Sequence, residues 1–174
     1  MAERKKKTMN KVLLIVLIFI TIAAVGVTVW AVWFREPAAN PADYAPKQID
    51  QNAEPIDGEE PGDKLENPEG GGAVSLTYSK EVTLDLASKE AAVLFQNPSK
   101  SNQDMALQLV IDGKVIAQSE KLPVGYKLNK LTNVDTDKLT AGAYEGKFVV
   151  LYYNADTGEK AIVNTDIPVT VTVK

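Results

Sequence analysis

One uncharged stretch constrains the architecture of this chain more than any other feature. Residues 12–34 read VLLIVLIFITIAAVGVTVWAVWF and hold no charged side chain. A helix rises about 1.5 Å per residue, so the stretch would span roughly 34 Å, which is enough to cross a hydrocarbon core of about 30 Å. Its polar residues are Thr21 and Thr28, whose hydroxyls can bond back to the helix. The sequence therefore predicts a transmembrane helix over residues 12–34.

A cleaved signal peptide is the alternative for this stretch. The apolar region of a signal peptide runs only about 7–15 residues before a small-residue cleavage site, whereas this one ends in Trp30, Trp33 and Phe34. Residues 1–11 carry five basic side chains and one acidic side chain. Basic residues stay on the cytoplasmic side. We therefore expect a single-pass cell-membrane protein with a cytoplasmic basic N-terminus and an extracellular remainder.

The next segment, residues 35–73, changes abruptly in composition. It holds six of the nine prolines, and its ten acidic residues outnumber three basic ones. Such a segment buries too little apolar surface to offset its ordering entropy, so it is predicted to be a disordered extracellular linker. Its reach would lie between roughly 35 Å as a coil and about 120 Å when extended. A proline-rich ligand is the alternative, but no P-x-x-P arrangement is present.

Residues 74–174 show the pattern of short strands separated by turn residues. Apolar and polar side chains alternate with period two, and no convincing helical period occurs. Asp112-Gly113 predicts a tight type I′ hairpin, and Gly158 suits a left-handed turn position in a second, long hairpin. Pro168 cannot donate to a sheet ladder, which predicts an edge or a bulge in the last strand. Seven or eight strands in about 100 residues are typical of a β-sandwich.

A short motif refines this prediction of the fold. Leu139, Gly142 and Tyr144 form L-x-x-G-x-Y directly before the next-to-last predicted strand. The motif resembles the tyrosine corner of immunoglobulin-like and fibronectin type III-like domains, in which the tyrosine hydroxyl bonds back to upstream backbone. The inter-sheet cysteine pair is absent, and Gly146 stands two positions after the tyrosine. The resemblance implies a disulfide-free Ig-like or Fn3-like sandwich over residues 74–174, and the fold implies no particular activity.

The composition argues against catalysis. The chain has no histidine and no cysteine, which removes the commonest general base, thiol nucleophile and ligands for zinc, haem and iron–sulfur clusters. No glycine-rich phosphate loop follows a predicted strand. We therefore assign no catalytic, cofactor-binding or metal-binding residue and expect a non-enzymatic protein.

One loop resembles the start of a calcium-binding loop. Asn133, Asp135 and Asp137 occupy the first, third and fifth positions of such a loop. Lys138 then stands where a glycine is needed, and Tyr144 where a bidentate glutamate is needed. We interpret the segment as a polar loop before the tyrosine corner. A weak calcium site near Asp135 and Asp137 stays open.

The charge and the missing modification sites bear on partners and compartment. Residues 74–174 hold 11 lysines and 12 acidic residues, a balance that argues against nucleic acid as a partner. The absence of disulfides and of an N-glycosylation sequon fits a bacterial surface protein better than a eukaryotic secreted one.

Strand register supplies the best functional clue. If Tyr144 faces inward, the alternation of a strand directs three apolar side chains of the same strand outward. A neighbouring strand adds two more if its larger apolar residues face inward. The candidate partner surface consists of Val149, Leu151, Tyr153, Val110 and Ala106. An exposed apolar patch marks an interaction site, whereas the alternatives are that a loop or the linker covers it, or that a central strand is apolar on both faces.

Two functions follow from these observations. The first is a membrane-anchored extracellular module that binds a protein, or a second copy of itself, through the outer face of the sheet. The alternative is a glycan-binding module for cell-wall or host polysaccharide. That function needs an exposed aromatic platform, for which Tyr126, Tyr152 and Tyr153 are the candidates.

Overall fold

The computed structural model describes residues 16–17, 20–21, 43–58, 64–66 and 72–174. The chain falls into two units, residues 1–40 and 41–174. The described residues of the first unit are helical, and the Thr21 hydroxyl donates to the Leu17 carbonyl oxygen at 2.8 Å.

The described residues include no helix that is both long enough and apolar enough to cross a membrane. Most of the span predicted over residues 12–34 lies outside the described residues, as does the whole of the basic N-terminus, residues 1–11.

The second unit is all-β. Its strands are β1 (Ala53–Pro55), β2 (Thr77–Tyr78), β3 (Glu81–Asp85), β4 (Glu90–Asn97), β5 (Gln103–Ile111), β6 (Lys114–Gln118), β7 (Tyr126–Leu131), β8 (Gly142–Asn154) and β9 (Thr165–Val173). Eight of them, β2 to β9, lie within residues 74–174, in agreement with the predicted seven or eight. The described residues hold no cysteine, so no disulfide contributes to this unit.

The strands form one continuous hydrogen-bonded path in the order β1-β7-β4-β3-β9-β8-β5-β6, and β2 also pairs with β4. Every pairing is antiparallel except that between β3 and β9. This parallel contact divides the path into two halves of four strands. The first half ends in β1 and the second in β6.

The two halves pack against each other through one hydrophobic core. Phe95 on β4 and Phe148 on β8 are not neighbours along the sheet, yet their ring centroids lie 6.2 Å apart in an edge-to-face contact. The fully buried side chains of this core come from both halves and include Leu84, Phe95, Leu128, Leu107, Phe148 and Val171. The unit is therefore β-sandwich-like.

The turn residues behave as the sequence predicts. Asp112 and Gly113 both have positive φ, 50° and 75°, in the two-residue turn between β5 and β6. Gly158 has φ 72° in the turn after β8. Pro168 pairs with Lys147 on β8, whereas the pairing of β9 with β3 first reaches Thr170. At Pro168, β9 is therefore a local edge among the described strands.

The prediction that residues 35–73 are disordered is wrong for residues 43–58, which we call the strap. Tyr44 forms a bridge with Glu159, Ile49 forms a parallel bridge with Lys121, and β1 pairs with β7. Composition rules weigh side-chain hydrophobicity, but these contacts use backbone groups that any sequence can supply to the edge of a sheet. Residues 64–66 also touch the domain, because the Leu65 amide donates to the Lys100 carbonyl oxygen at 2.9 Å.

Candidate functional surfaces

The predicted apolar row is assembled on the outer face of β5 and β8. Leu151 lies opposite Ala106, Tyr153 lies opposite Asp104, and Val149 lies opposite Gln108. Ala106, Leu151 and Tyr153 form a hydrophobic cluster separate from the main core, with Val149 packed against it. The alternation that places this row on the face away from the core is the one expected from the register of β8.

The row is not exposed, so the prediction of a free partner surface is wrong. Four of its residues are buried: Ala106 (0% exposed), Val110 (5%), Leu151 (7%) and Tyr153 (3%), and Val149 is half-buried. Ala45 of the strap packs against the cluster. The physical reason for the cluster of Ala106, Leu151 and Tyr153 is that this segment of the same chain packs on it.

Backbone hydrogen bonds hold the first part of the strap against the domain. The Ala45 amide donates to the Gly158 carbonyl oxygen and the Lys160 amide donates to the Asp43 carbonyl oxygen, both at 2.8 Å. Further along, the Asp50 amide donates to the Lys121 carbonyl oxygen at 2.9 Å. The strap therefore extends the second half of the sheet beside residues 158–160.

Asp50 fixes the point where the strap turns toward β1. This carboxylate is 8% exposed, and three N–H groups surround it. The Glu120 amide donates to one oxygen at 2.9 Å. The Asn52 amide and its side-chain nitrogen donate to the other at 2.8 and 3.1 Å. A buried carboxylate is tolerated where donors of this kind replace its lost hydration.

A second acidic side chain, Asp104, lies on the same outer face and is almost buried. Burial raises the pKa of its carboxyl group, although the Lys121 ammonium at 3.8 Å and the Val124 amide act in the opposite direction. The Lys121 amide donates to Gln48 of the strap at 3.1 Å. Asp104 and the strap therefore share one neighbour.

The aromatic platform expected for a glycan ligand is not formed. Tyr152 and Tyr153 are buried, and burial raises the pKa of both phenols. The Tyr152 hydroxyl donates to Thr165 Oγ1 at 2.7 Å, and Tyr126 packs half-buried against the core. The glycan-binding alternative requires an exposed platform built from these three rings, and the requirement is not met because strands β7 and β8 use the rings for packing.

The three residues of the corner motif meet where β8 begins. Leu139 and Tyr144 both pack against the core while staying half-buried. The Thr140 amide donates to the Tyr144 hydroxyl at 3.0 Å, and that hydroxyl donates to the Thr140 carbonyl oxygen at 3.1 Å. Hydrogen bonds with Thr140 hold the pKa of the Tyr144 phenol below its usual value. Gly142 has φ 155° between them.

The loop with calcium-like spacing is organised by an ion pair. Asp135 pairs with Lys114, which lowers the pKa of the Asp135 carboxyl, and the Asp137 amide donates to Asp135 Oδ1 at 3.2 Å. In the described part of the chain, no three acidic side chains are grouped so that they could hold a metal ion.

Sequence reasoning missed a polar concavity on the outer face of the first half of the path. It has a volume of about 450 Å³. Its lining includes Asn52, Glu54, Asp85, Glu90, Asn129 and Lys130. Asn129 donates to Glu54 at 3.1 Å, and Lys130 pairs with Glu90 at 2.7 Å. The polar residues that alternate along β3, β4 and β7 could have indicated a polar outer face. Nothing in the sequence indicated that Asn52 and Glu54 of the strap would complete it.

A second missed feature is the segment between the β8 turn and β9. The sequence predicts one long returning strand, but only residues 159–161 pair with the end of β8, and β9 begins at Thr165. Ile162 and Val163 lie between these pairings and are 102% and 70% exposed. Period-two alternation could not reveal the interruption, because it depends on where the pairing stops.

Comparison of the sequence with protein families and with curated proteins finds no match. Among solved structures, the chain is similar to AggA, the major subunit of aggregative adherence fimbriae type I from Escherichia coli. The two are 11% identical, the similarity covers 63% of this chain and 100% of that chain, and the TM-score is 0.32. A likeness at this TM-score carries no argument about the fold or function of this chain.

Proposed function

We propose that residues 74–174, completed at one edge by β1 of the strap, form an Ig-like or Fn3-like sandwich. In an immunoglobulin fold, one sheet has the order ABED and the other contains strands C, F and G. In the proposed assignment, β3, β4 and β7 correspond to A, B and E, and β9, β8 and β5 correspond to G, F and C, which is compatible with the observed strand order. The bonds between Tyr144 and Thr140 support this assignment. In it, β1 of the strap occupies the edge position of strand D.

We propose that this sandwich is held close to the outer face of a bacterial membrane. The supporting observation is the strap, which joins the chain to the domain from Asp43 onward. Only residues 35–42 then separate the domain from the predicted transmembrane helix, and eight residues span no more than about 30 Å. A linker of the full length 35–73 would reach roughly four times as far. The short connection favours a membrane-proximal module over a long-reach adhesin.

The proposed activity is non-enzymatic binding of a protein partner, as a scaffold or accessory subunit of an envelope assembly. The apolar row on β5 and β8 is buried and is therefore not proposed as the docking surface. The polar concavity replaces it, because it combines a recessed face with three carboxylates, Glu54, Asp85 and Glu90, and one ammonium, Lys130. Such a face would select a partner segment that is net basic.

Site-specific crosslinking in the native membrane tests this function. A photoreactive amino acid replaces Ala92, which lines the concavity, in the full-length chain. The matched control replaces Val115, which is 43% exposed on β6, in the other half of the path. We expect one discrete adduct with a membrane protein from position 92 and none from position 115, in material that resists alkaline extraction.

Two results would count against the proposal. Full extraction of the chain by alkali would contradict membrane anchoring. Equal adduct patterns at positions 92 and 115 would contradict a docking role for the concavity. If instead the detergent-solubilised chain binds a glycan array and Asn129→Ala abolishes that binding, the partner is a polysaccharide rather than a protein.

A further inference from the structure

We propose that Ile162 and Val163 form a membrane-contact site that rests in the lipid interface. This inference depends on the membrane anchoring proposed above and adds a lipid-binding surface to it. The occupant is the interfacial region of a zwitterionic bilayer. Three observations carry it: the exposure of the pair, its position beside the entry of the chain, and the charges around it.

The exposure of this pair is unusual within the described part of the chain. Ile162 is 102% exposed and Val163 is 70% exposed, whereas the other exposed large apolar side chains of residues 43–174 are 37–50% exposed. Two adjacent aliphatic side chains that are fully or largely exposed to water favour transfer into an apolar environment. Singly exposed apolar residues need no explanation, whereas contiguous exposed apolar surface is where contact sites lie.

The pair lies beside the point where the chain enters the domain. Ile162 is two residues from Lys160, whose amide donates to the Asp43 carbonyl oxygen at 2.8 Å. Asp43 is in turn separated from the predicted membrane helix by residues 35–42, which reach at most about 30 Å. The length of this connection therefore keeps Ile162 within reach of the bilayer surface to which the helix is anchored.

Nearby charges select the kind of lipid surface. Acidic side chains outnumber basic ones around the pair: Asp43, Asp156 and Glu159 are exposed, and Lys160 is half-buried. This arrangement does not attract anionic headgroups, unlike the clusters of lysine and arginine that bind them. Contact is therefore apolar, and it should neither need anionic lipid nor weaken when salt is added.

An environment-sensitive fluorophore measures this contact directly. The full-length sequence contains no cysteine, so Ile162→Cys can be labelled at a single site with an NBD dye and reconstituted into phosphatidylcholine vesicles. We expect blue-shifted emission that is quenched several-fold more by lipids spin-labelled near the headgroup than by a water-soluble quencher. Val115→Cys is the matched control. Val115 pairs with Val110, which lies opposite Lys147, roughly 23 Å along β8 from Asn154.

A second pair of variants separates the effect of the native side chains from that of the dye. Asn164→Cys carries the label next to an intact Ile162 and Val163, and the same label is placed in the double variant Ile162→Ser, Val163→Ser. We expect the blue shift in the first protein and its loss in the second. Because both positions are fully or largely solvent-exposed, these substitutions should leave the core and the thermal midpoint unchanged.

The outcomes distinguish this inference from the proposed function. A chain that fails to float with the vesicles overturns the anchoring, and the contact with it. A chain that floats while the labels at positions 162 and 115 stay equally accessible to water overturns the lipid contact alone. A blue shift seen in native membranes but absent from protein-free lipid vesicles assigns the surface to a protein partner and also overturns it.

Discussion

At the residue scale, Tyr144 shows how one side chain closes a turn. Its ring packs against the core. Its hydroxyl oxygen accepts a hydrogen bond from the Thr140 amide, and the hydroxyl donates one to the Thr140 carbonyl oxygen. Backbone groups left unpaired at a change of direction are costly, and one phenol satisfies two of them here. The same residue therefore joins the loop of residues 132–141 to the start of β8.

Removing only this hydroxyl tests that role. Tyr144→Phe keeps the ring and deletes the bonds to Thr140, and we expect the thermal midpoint of fragment 41–174 to fall by about 3–6 °C. Tyr78→Phe serves as the control, since Tyr78 is exposed on the short strand β2. Equal midpoints for the two variants would show that the Thr140 bonds do not stabilise the fold.

Asp104 gives a pH dependence whose sign follows from its environment. Burial raises its folded pKa above the ordinary value of 3.8, so the folded state holds the proton more tightly than the unfolded state. Its contribution to stability therefore falls as pH rises from about 4 through the raised pKa. We expect Asp104→Asn to remove this loss, so that its stability relative to the parent chain increases from pH 4 to pH 7.

Urea unfolding of the parent and the variant at several pH values measures this difference. Asp85→Asn is the control with the opposite sign, because the amides of Ser88 and Ala87 lower the pKa of the Asp85 carboxyl. The Asp85 contribution is present at neutral pH and is lost on acidification. If the difference in the free energy of unfolding between Asp104→Asn and the parent chain is the same at every pH, burial does not control the titration of Asp104.

Gly146 is a motif position whose physical role can be read only from the structure. Gly146 stands two positions after Tyr144, and the structure shows that a side chain there would be crowded. A Cβ built there would meet the Val110 carbonyl oxygen at 3.0 Å and Val171 Cγ2 at 3.1 Å. The close approach involves β5 and β9, which are distant in sequence, so the alternation of β8 alone could not reveal it.

At the element scale, the sequence patterns correctly predicted the features that depend on neighbouring residues alone. Backbone preferences predicted the turn at Asp112-Gly113. The period of two predicted the strands of residues 74–174 and the outward face of Val149, Leu151 and Tyr153. The strap and the interruption at Ile162 were missed. Both depend on backbone pairing with distant segments, and neither composition nor alternation records such pairing.

The strap should be held largely by Asp50. Asp50→Ala leaves three buried or half-buried N–H groups without their acceptor, and we expect a loss of about 2 kcal/mol in the free energy of unfolding of fragment 41–174. The outer row under Ala45 should then become accessible. Urea unfolding measures the loss, and limited proteolysis within residues 43–58 reports release of the strap.

Asp57→Ala provides the comparison for this variant. Asp57 also lies on the strap, but its side chain is 92% exposed and its partner is Lys127. A solvent-exposed ion pair contributes little, so this change should leave both unfolding and proteolysis unaltered. Equal behaviour of the two variants would mean that the strap is held by β1 pairing rather than by the Asp50 carboxylate.

At the scale of the whole molecule, the strap changes the meaning of the acidic, proline-rich segment. Residues 43–58 of the segment that composition assigns to a tether lie instead on the surface of the domain, where Ala45 covers the outer cluster and Asn52 and Glu54 line the polar concavity. In the proposed membrane-anchored arrangement, the length of the segment before Asp43 limits the reach from the predicted helix, and the length of the segment after β1 does not. The reach from the predicted helix and the docking surface can therefore be changed separately by mutation.

Two insertions of equal length separate these properties. An insert of about 30 Gly/Ser residues after residue 38 has a root-mean-square end-to-end distance of roughly 30 Å and lengthens the connection between the predicted helix and the strap. We expect this variant to lose the crosslink from position 92 if the partner is held near the membrane, while the free energy of unfolding stays unchanged. The measurement is the yield of the adduct in native membranes.

The same insertion between residues 60 and 61 is the matched control. It lengthens the connection after β1, and because loop-closure entropy grows only slowly with length, it should cost about 1 kcal/mol or less. The strap would still fix Asp43 beside Lys160, so the reach from the helix is unaltered and the adduct should persist. Loss of the adduct in both variants would contradict a distance requirement, and its retention in both would show that the module works equally well far from the membrane.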